Sequence, residues 1–498
     1  MNAIRLKNFR SFLDTGTIEL KPIVLLVGAN SSGKSSLLRF FPLLKQTTEL
    51  QSASPLLLNG RYVDFGDFEE TVCRSSRGEL IEIIFSFPTI HVHRIDEIVY
   101  VSRISATITP EISVKLQYVN SRTSVAAFRI TIGENNCDIE IGNHSIVNSC
   151  IVNGIDLIKE IGTGSIPRCT ASNTVPTFDE SVFLRSKFIR ILNTKAAEYI
   201  RDIVHKNTSE RTILTHAARL TPGGADRILE QLKKIAFEPK AKRLYPNSAI
   251  VNKIRALTFA RIVPTVMNES FRWLSQFGLA TRYIGPFRLD PQRYYRNQEL
   301  SVNQIEPHGE NLAMFLRSLS DSERQRFSEW VSQIFEFHVT INPSRSHTEV
   351  RVKEKDQSYN IIDMGYGLSQ VLPIIAQCWS SINTTPKHTS SERPRSSTLV
   401  AIEQPELHLH PRLQAKLADM FVSMIKETKK TANLIIETHS EAMINRFGEM
   451  ISEGTLDRTD VLVLLFEKNT ETSVTNVRKS QFDKDGVLSD WPIGFFSA

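Results

Sequence analysis

The rhythm of apolar and polar positions changes several times along the chain, and each change predicts a different element. "MNAIRLKNFRSF" alternates as a half-buried strand does, and "PIVLLVG" is a continuous apolar run closed by a glycine, as a strand buried on both faces would be. A turn-rich connector, "NGRYVDFGDFEE" (59–70), follows a predicted helix. From about 78 to 150 the alternating segments "IEIIFSF", "VKLQYV", "AAFRITIG" and "CDIEIG", separated by turn residues, predict an antiparallel meander. The polar stretch 162–181 reads as a linker.

Beyond it, "SVFLRSKFIRILNTKAAEYIRDIV", "ADRILEQLKKIAFE" and "SAIVNKIRALTFARIVPTVMNESFRWL" repeat apolar residues every three or four positions, the period of helices, with Pro264 set to kink or end one. "SDSERQRFSEWVSQIF" reads as a capped helix, and apolar strands are expected near 360, 400 and 435. Strands and helices alternate at both ends, which predicts an α/β domain split by an insertion. The expected organisation is an N-terminal lobe with a β subdomain over 1–160, a basic helical insertion over 161–281 and a C-terminal lobe over 282–498.

Composition narrows the class. The 498 residues are 41% hydrophobic and 23% charged, ordinary for a globular protein of two or three domains. No run approaches the ~20 apolar residues of a membrane span, and the start lacks a secretory signal. The five cysteines are odd in number and show no C-x-x-C pair, against a disulfide framework or a zinc ribbon. A reduced, cytoplasmic protein is expected. The net charge is +6, but residues 185–261 hold 17 Lys and Arg against 6 Asp and Glu, leaving the rest slightly acidic. That excess reads either as solvated helix surface or as a patch for nucleic acid or an acidic partner.

The strongest chemical signal is Gly28-Ala29-Asn30-Ser31-Ser32-Gly33-Lys34-Ser35, a complete G-x-x-x-x-G-K-S between an apolar strand and a helix, continued by Ser36. Glycines let backbone N–H groups wrap phosphates without a Cβ clash, and the helix start adds partial positive charge. Lys34 would reach the β and γ phosphates of ATP and the Ser35 hydroxyl would coordinate Mg²⁺. Three further stretches follow in order: a glycine turn before a helix in "IIDMGYGLSQVLPIIAQCW", an acid-ended strand in "VAIEQPELHLHP", and a strand ending in Thr438-His439-Ser440.

With these parts the chain resembles the ABC-type AAA ATPases of the RecF, SMC and overcoming-lysogenization-defect branch. "LKNFRSF", "GYGLSQVLPI", "IEQPELHLHP" and "ETHSE" carry the likeness over roughly the first 70 and last 215 residues. "GPFRLDPQRYY", "PHGENLA" and "DWPIGFF" look like prokaryotic ATPases of antiphage loci of Septu or PARIS type. The resemblance implies an ABC-type P-loop ATPase head, ATP with Mg²⁺, and a nucleotide-sandwich dimer or higher oligomer. It makes Glu403 the Walker B acid that orders the Mg²⁺ water shell and His439 the switch histidine at the γ-phosphate. Gly365-Tyr366-Gly367 becomes the signature turn presented to a second subunit's ATP. Gln46, Gln51 or the connector at Gly66-Asp67 would take the Q-loop role.

Two positions depart from the family pattern. Gly365 stands where a signature serine usually contacts phosphate, leaving backbone N–H groups or Ser369 for that work. Gln404 stands where many relatives carry the glutamate that polarises the attacking water. An amide accepts no proton at neutral pH, and general-base help is worth about 10²–10⁴-fold, so slow turnover is expected, with Glu406 past Pro405 as the alternative base.

Smaller signals weigh less. His408 and His410 lack a third metal ligand nearby, and "ETHSE" is too local for a Ser–His–acid triad. Arg288 and Arg293 are phosphate or partner contacts or else surface pairs, and Trp491, Phe495 and Phe496 are packing residues or a docking site. Fewer than about 60 residues follow Ser440, below an ordinary domain of ~100 residues, so any nuclease or toxin effector is expected in trans. The functional expectation is a slowly hydrolysing ATPase that regulates such an effector in antiphage defence. The alternative is a RecF- or SMC-like ATPase that clamps DNA through the basic insertion.

Overall fold

The computed structural model describes residues 1–50, 52–76, 80–93, 105–142, 145–179, 182–298, 302–383 and 398–488. Gln51, Trp491, Phe495 and Phe496 lie outside the described residues. The chain divides into two units. One holds Met1–Phe9, Leu50–Leu57 and Ser76–Ser275; the other holds Arg10–Glu49, Leu58–Ser75 and Gln276–Ala498. The grouping differs from boundaries at 160 and 281, because the β meander and the inserted helices share one unit while the phosphate loop joins the C-terminal lobe.

Hydrogen bonding explains the first unit. Its antiparallel sheet runs Ile155–Asp156, Val147–Val152, Asn135–Ile141, Arg122–Ile132, Glu111–Val119, Ile81–Ser86 and Ala3–Phe9 in spatial order, the expected meander with the first strand added at its edge. The helices are bonded to this sheet. Arg255, on the helix Ala249–Ala260, donates to Asn135 Oδ1 at 2.9 Å and to the Glu134 carbonyl. Arg261 is buried and caps the end of the helix Glu210–Arg219, donating to the carbonyls of Ala217 (3.2 Å) and Leu220 (2.7 Å). Pro264 sits in the first turn of Val263–Ala280, where its missing N–H costs nothing, so the apolar run is two helices.

The polar stretch expected to be a linker is packed. Cys169–Thr170 pairs with Thr177–Phe178, and the Asn268 amide accepts from Phe178 N at 2.8 Å and donates to Phe178 O at 3.0 Å. A side chain 90 residues away thus does the work of a neighbouring strand, which period and composition do not show.

Part of the charge on the inserted helices is paired within them. Lys234 pairs with Glu230, Lys242 with Glu238, and Lys240 donates to the carbonyls of Asp202 and Val204. Of the cluster Lys233, Lys234, Lys240, Lys242 and Arg243, only Lys233 and Arg243 have no side-chain partner among the described residues.

The second unit is built on a six-stranded sheet in the order Arg282–Ile284, Thr398–Glu403, Ala432–Glu437, Ile23–Gly28, Val461–Lys468, Thr475–Ser480. The first five run parallel and the last is antiparallel. Ile23–Gly28 is buried throughout, as are Leu399–Glu403, the pattern of strands covered on both faces. Leu25, Val27, Val400, Ile402, Leu434 and Ile436 pack in one core with residues of the helices Tyr366–Asn383 and Pro411–Glu427.

The strand expected near 360 is not in this sheet. Gln357–Asn360 pairs with His347–Glu354 in a small antiparallel sheet, and "IIDM" turns into a 3-10 helix capped by Asn360. The capped helix is confirmed as Asp321–Phe335, with Ser320 and Glu323 forming a reciprocal capping box. Asn268→Ala should lower unfolding stability by about 2–4 kcal/mol by orphaning two buried backbone groups. A loss under about 0.5 kcal/mol in denaturant unfolding would show that the polar stretch is held otherwise.

Candidate functional site

The parallel sheet brings four strand ends together. Ile23–Gly28 runs into the phosphate loop, Ala432–Glu437 lies beside it with Glu437 opposite Leu26, and Thr398–Glu403 lies one strand farther with Glu403 opposite Glu437. On the other flank Phe466 is opposite Gly28. A Cβ on Gly28 would stand 2.6 Å from the Phe466 carbonyl, so this glycine is demanded by close approach of the neighbouring strand. Gly33 has φ +96° and leads into the helix Lys34–Leu38.

Around the loop Ala29, Asn30 and Ser31 are exposed, Ser35 and Ser36 half-buried, and Ser32 and Lys34 buried. Thr475 Oγ1 donates to Ser32 O at 2.9 Å and braces the turn. Lys34 Nζ folds onto the loop's own carbonyls, Gly28 O at 2.9 Å and Ala29 O at 2.7 Å. Burial lowers its pKa against the pull of the Glu437 and Glu406 charges.

Each acid has a distinct setting. Glu403 is 2% exposed and clamped by Arg39, Nε to Oε1 at 2.7 Å and Nη2 to Oε2 at 2.8 Å, with Tyr283 Oη donating to Oε1 at 2.7 Å. That bidentate bond raises the Arg39 pKa, while burial and the Glu403 charge raise that of Tyr283. Glu437 accepts from Ser35 Oγ at 2.9 Å. Burial and the neighbouring Glu403 push its carboxyl up to about 7.

Glu406 is 8% exposed; its Oε1 accepts from the His439 N–H at 2.6 Å, and burial raises its pKa. Burial and Lys34 push the half-buried His439 imidazole down to about 4, so it is neutral at pH 7.

Gln404 adopts φ +42°, uncommon for a residue with a Cβ. The turn is held at both ends: Gln404 N donates to Glu437 O at 2.8 Å, and Arg288 Nη2 donates to the carbonyls of Glu403 (2.8 Å) and Gln404 (3.1 Å). Arg288 is therefore a buried brace, and burial lowers its pKa to about 10. Arg293 is an exposed partner of Asp363 at 2.6 Å.

The glycine turn lies at the start of Tyr366–Asn383. Gly365 has φ +81° and open space around its Cα, whereas a Cβ on Gly367 would stand 2.6 Å from the His408 carbonyl. Ser369 is buried and donates to Tyr366 O at 2.7 Å within its own helix. His408 packs edge-on against the Tyr366 ring, and His410 caps the helix Pro411–Glu427. Ser440 caps the helix Glu441–Ser452. Gln46 is buried, its amide bonded to the backbone of Tyr62 and Val63, and Asp67 caps the short helix Phe68–Thr71.

The structure thus brings together Lys34, Ser35, Glu403, Gln404, Glu406 and His439. It also adds Arg39, Tyr283 and Glu437, which sequence reasoning did not single out. An acid closing an apolar strand two residues before His439 was the available signal for Glu437; no local signal marks Arg39, whose partner is 364 positions away.

Ser35 and the strand-end carboxylates form a set of hard oxygen donors, and Glu437 Oε2 is buried without a hydrogen bond, so the residues fit Mg²⁺. A cleft of about 620 Å³ runs along Gly28, Asn30 and Ser31 toward Phe466, Glu467 and Lys468, on the flank away from the acids. Among the described residues no helix is long and apolar enough to cross a membrane.

The model of a family described as an AAA ATPase domain matches residues 1–219 and 258–444. Solved structures that resemble the chain include the Smc head of Pyrococcus furiosus bound to the C-terminal domain of ScpA, at 11% identity and TM-score 0.33, covering 96% of this chain and 95% of that one. The SMC head of Thermotoga maritima matches at 10% identity and TM-score 0.32, covering 96% and 98%. No curated relative matches the chain.

The pKa settings predict a pH dependence. Folded Glu437 keeps its proton up to about 7, whereas the unfolded chain loses it near 4.5, so this residue's contribution falls as pH rises through 7. Glu437 loses its contribution between about 4.5 and 7, while His439 acts oppositely between about 4 and 6.5. The two offset one another up to about 6.5, and the uncompensated loss falls from about 6.5 to 7.5, with Glu406, also raised by burial, acting in the same direction. Without metal or nucleotide the protein should lose stability across that window. Glu437→Gln should flatten the loss and be more stable than wild type at pH 8 by roughly 3 kcal/mol. Equal slopes for the two proteins in thermal unfolding would refute the assignment.

Proposed function

The chain belongs to the AAA ATPase domain family, and from that premise we propose that it binds ATP with Mg²⁺ at the phosphate loop and hydrolyses it slowly. The observation that carries the reading is Lys34, a buried ammonium resting on the loop carbonyls of Gly28 and Ala29, within reach of phosphates that would take those carbonyls' place. Ser35 would hold the ion and Glu403 would order its water shell. Bound Mg²⁺ supplies charge neutralisation at the phosphates. Gly28 through Ser36 wrap the phosphates, and the cleft of about 620 Å³ has the size of a small-ligand site.

Proton handling falls to Glu406. Gln404 has no carboxylate, while the turn through Pro405 returns Glu406 to the loop. There one oxygen is held by the His439 N–H and the other is buried without a hydrogen bond. Neutral His439 is suited to donate to the γ-phosphate. The signature turn at Gly365 and Gly367 offers backbone rather than a serine to a second subunit's nucleotide, since Ser369 is turned into its own helix.

By the likeness of "GPFRLDPQRYY" and "PHGENLA" to ATPases of antiphage loci, the nucleotide-bound dimer or higher oligomer in the cytoplasm restrains a separate nuclease or toxin effector. Any direct contact with DNA would fall to residues such as Lys233 and Arg243.

Purified full-length protein should turn over ATP more slowly than about 1 s⁻¹, the low end of ordinary enzymes. Glu406→Gln should reduce that about 100-fold with nucleotide affinity changed less than threefold, Gln404→Glu should raise it at least tenfold, and Lys34→Ala should abolish nucleotide binding. A wild type faster than about 10 s⁻¹ and indifferent to Glu406→Gln would overturn the slow-hydrolysis reading.

A further inference from the structure

The acid that the family likeness assigns to the metal is not the acid nearest the phosphate loop. Glu437 ends the strand lying directly against the loop strand, and Glu403 stands one strand, about 5 Å, farther out. Ser35, the loop's metal-binding hydroxyl, donates to Glu437 Oε1 at 2.9 Å. The second oxygen, Oε2, is buried and accepts no hydrogen bond, in a side chain 4% exposed.

Glu403 is differently placed. Both its oxygens are taken by Arg39, and one also by Tyr283. Two carboxylates side by side in register repel. Arg39 offsets that repulsion for Glu403, whereas Glu437 feels Lys34 and Arg39 only through space, neither forming a hydrogen bond to it. Glu437 thus offers one oxygen bonded to the loop hydroxyl and one without a hydrogen bond. A small divalent cation would satisfy both.

We propose that Glu437 is the protein carboxylate that shares the magnesium ion of bound nucleotide with Ser35, while Glu403 anchors Arg39 and meets the ion only through its water shell. The inference rests on reading the phosphate loop as a site for Mg²⁺ and ATP. Among the described residues no group of three or more His, Cys, Asp or Glu is placed to hold an ion alone, so its remaining positions belong to phosphates and water. The assignment also puts the ion's ligand and His439 two residues apart on one strand end, so a shift of that strand would move the metal and γ-phosphate contacts together.

The test uses full-length protein saturated with a non-hydrolysable ATP analogue, with Mn²⁺ as the probe and its binding followed by electron paramagnetic resonance. Glu437→Gln is isosteric and removes the repulsion with Glu403, so it should fold. It should weaken Mn²⁺ at least tenfold, while Glu403→Gln weakens it less than threefold and both variants still bind the nucleotide without metal. Glu437→Cys should turn the preference from Mn²⁺ toward the thiophilic Cd²⁺, which a merely structural residue would not do. Mn²⁺ affinity within twofold of wild type in Glu437→Gln, or a larger loss in Glu403→Gln, overturns the role of Glu437 alone. A wild type that binds no nucleotide overturns the phosphate-loop reading with it.

Discussion

The constraint on which the site depends is that two carboxylates, Glu403 and Glu437, close adjacent parallel strands in register. A parallel sheet leaves no freedom here: one residue of slip would send every buried side chain of the strand to its other face. The strands are held by apolar packing on both faces, so the acids must be accommodated where they fall. Arg39 and Tyr283 close around Glu403, and Ser35 reaches Glu437. Burial of a carboxylate costs several kcal/mol unless it is paired or protonated. The two acids take opposite solutions, ion pairing for Glu403 and a carboxyl pushed up to about 7 for Glu437.

That division turns a packing problem into chemistry. The solved acid, Glu403, is fixed by a bidentate guanidinium, and its backbone carbonyl is bound by Arg288. The unsolved acid, Glu437, faces the loop where an incoming cation would relieve it. Nucleotide and metal would therefore change the state of Glu437 more than that of Glu403. The strand carrying Glu437 lies against the loop strand and leads through Thr438 and His439 into the helix Glu441–Ser452, so one strand end joins the loop strand to that helix.

How much of this the sequence disclosed depends on how local each determinant is. The phosphate loop, the meander and the Ser320 cap were legible because their signals lie within a dozen residues of one another. The strand Val461–Lys468 went unmarked, and the strand expected near 360 lies in the small antiparallel sheet, because an apolar run does not say which strand it will pair with. The packed stretch at 162–181 looked like a linker because its order comes from Asn268. The basic excess of the inserted helices left two readings open, solvated surface or a patch for a partner, because composition does not show that Lys234 and Lys242 pair with glutamates one turn earlier. In the site, Glu403, Glu406 and His439 were legible as motif residues. What their motifs could not show was that Arg39, on the phosphate-loop side, would claim Glu403.

The turn at Gln404 fixes where the next carboxylate can stand. A left-handed φ at a residue with a Cβ persists only where its surroundings over-determine it, and here the Glu437 carbonyl and the Arg288 guanidinium hold it from both sides. Pro405 then fixes its own φ, which limits where the next side chain can point. The product is a buried Glu406 whose oxygen meets the His439 N–H, beside Lys34. Had the chain continued in extended conformation, Glu406 would have been carried away from the phosphate loop. The strained amide is thus the hinge that trades a carboxylate at the strand end for one two residues later. The later carboxylate is bonded to the backbone N–H of His439, so its position depends on where that strand end stands.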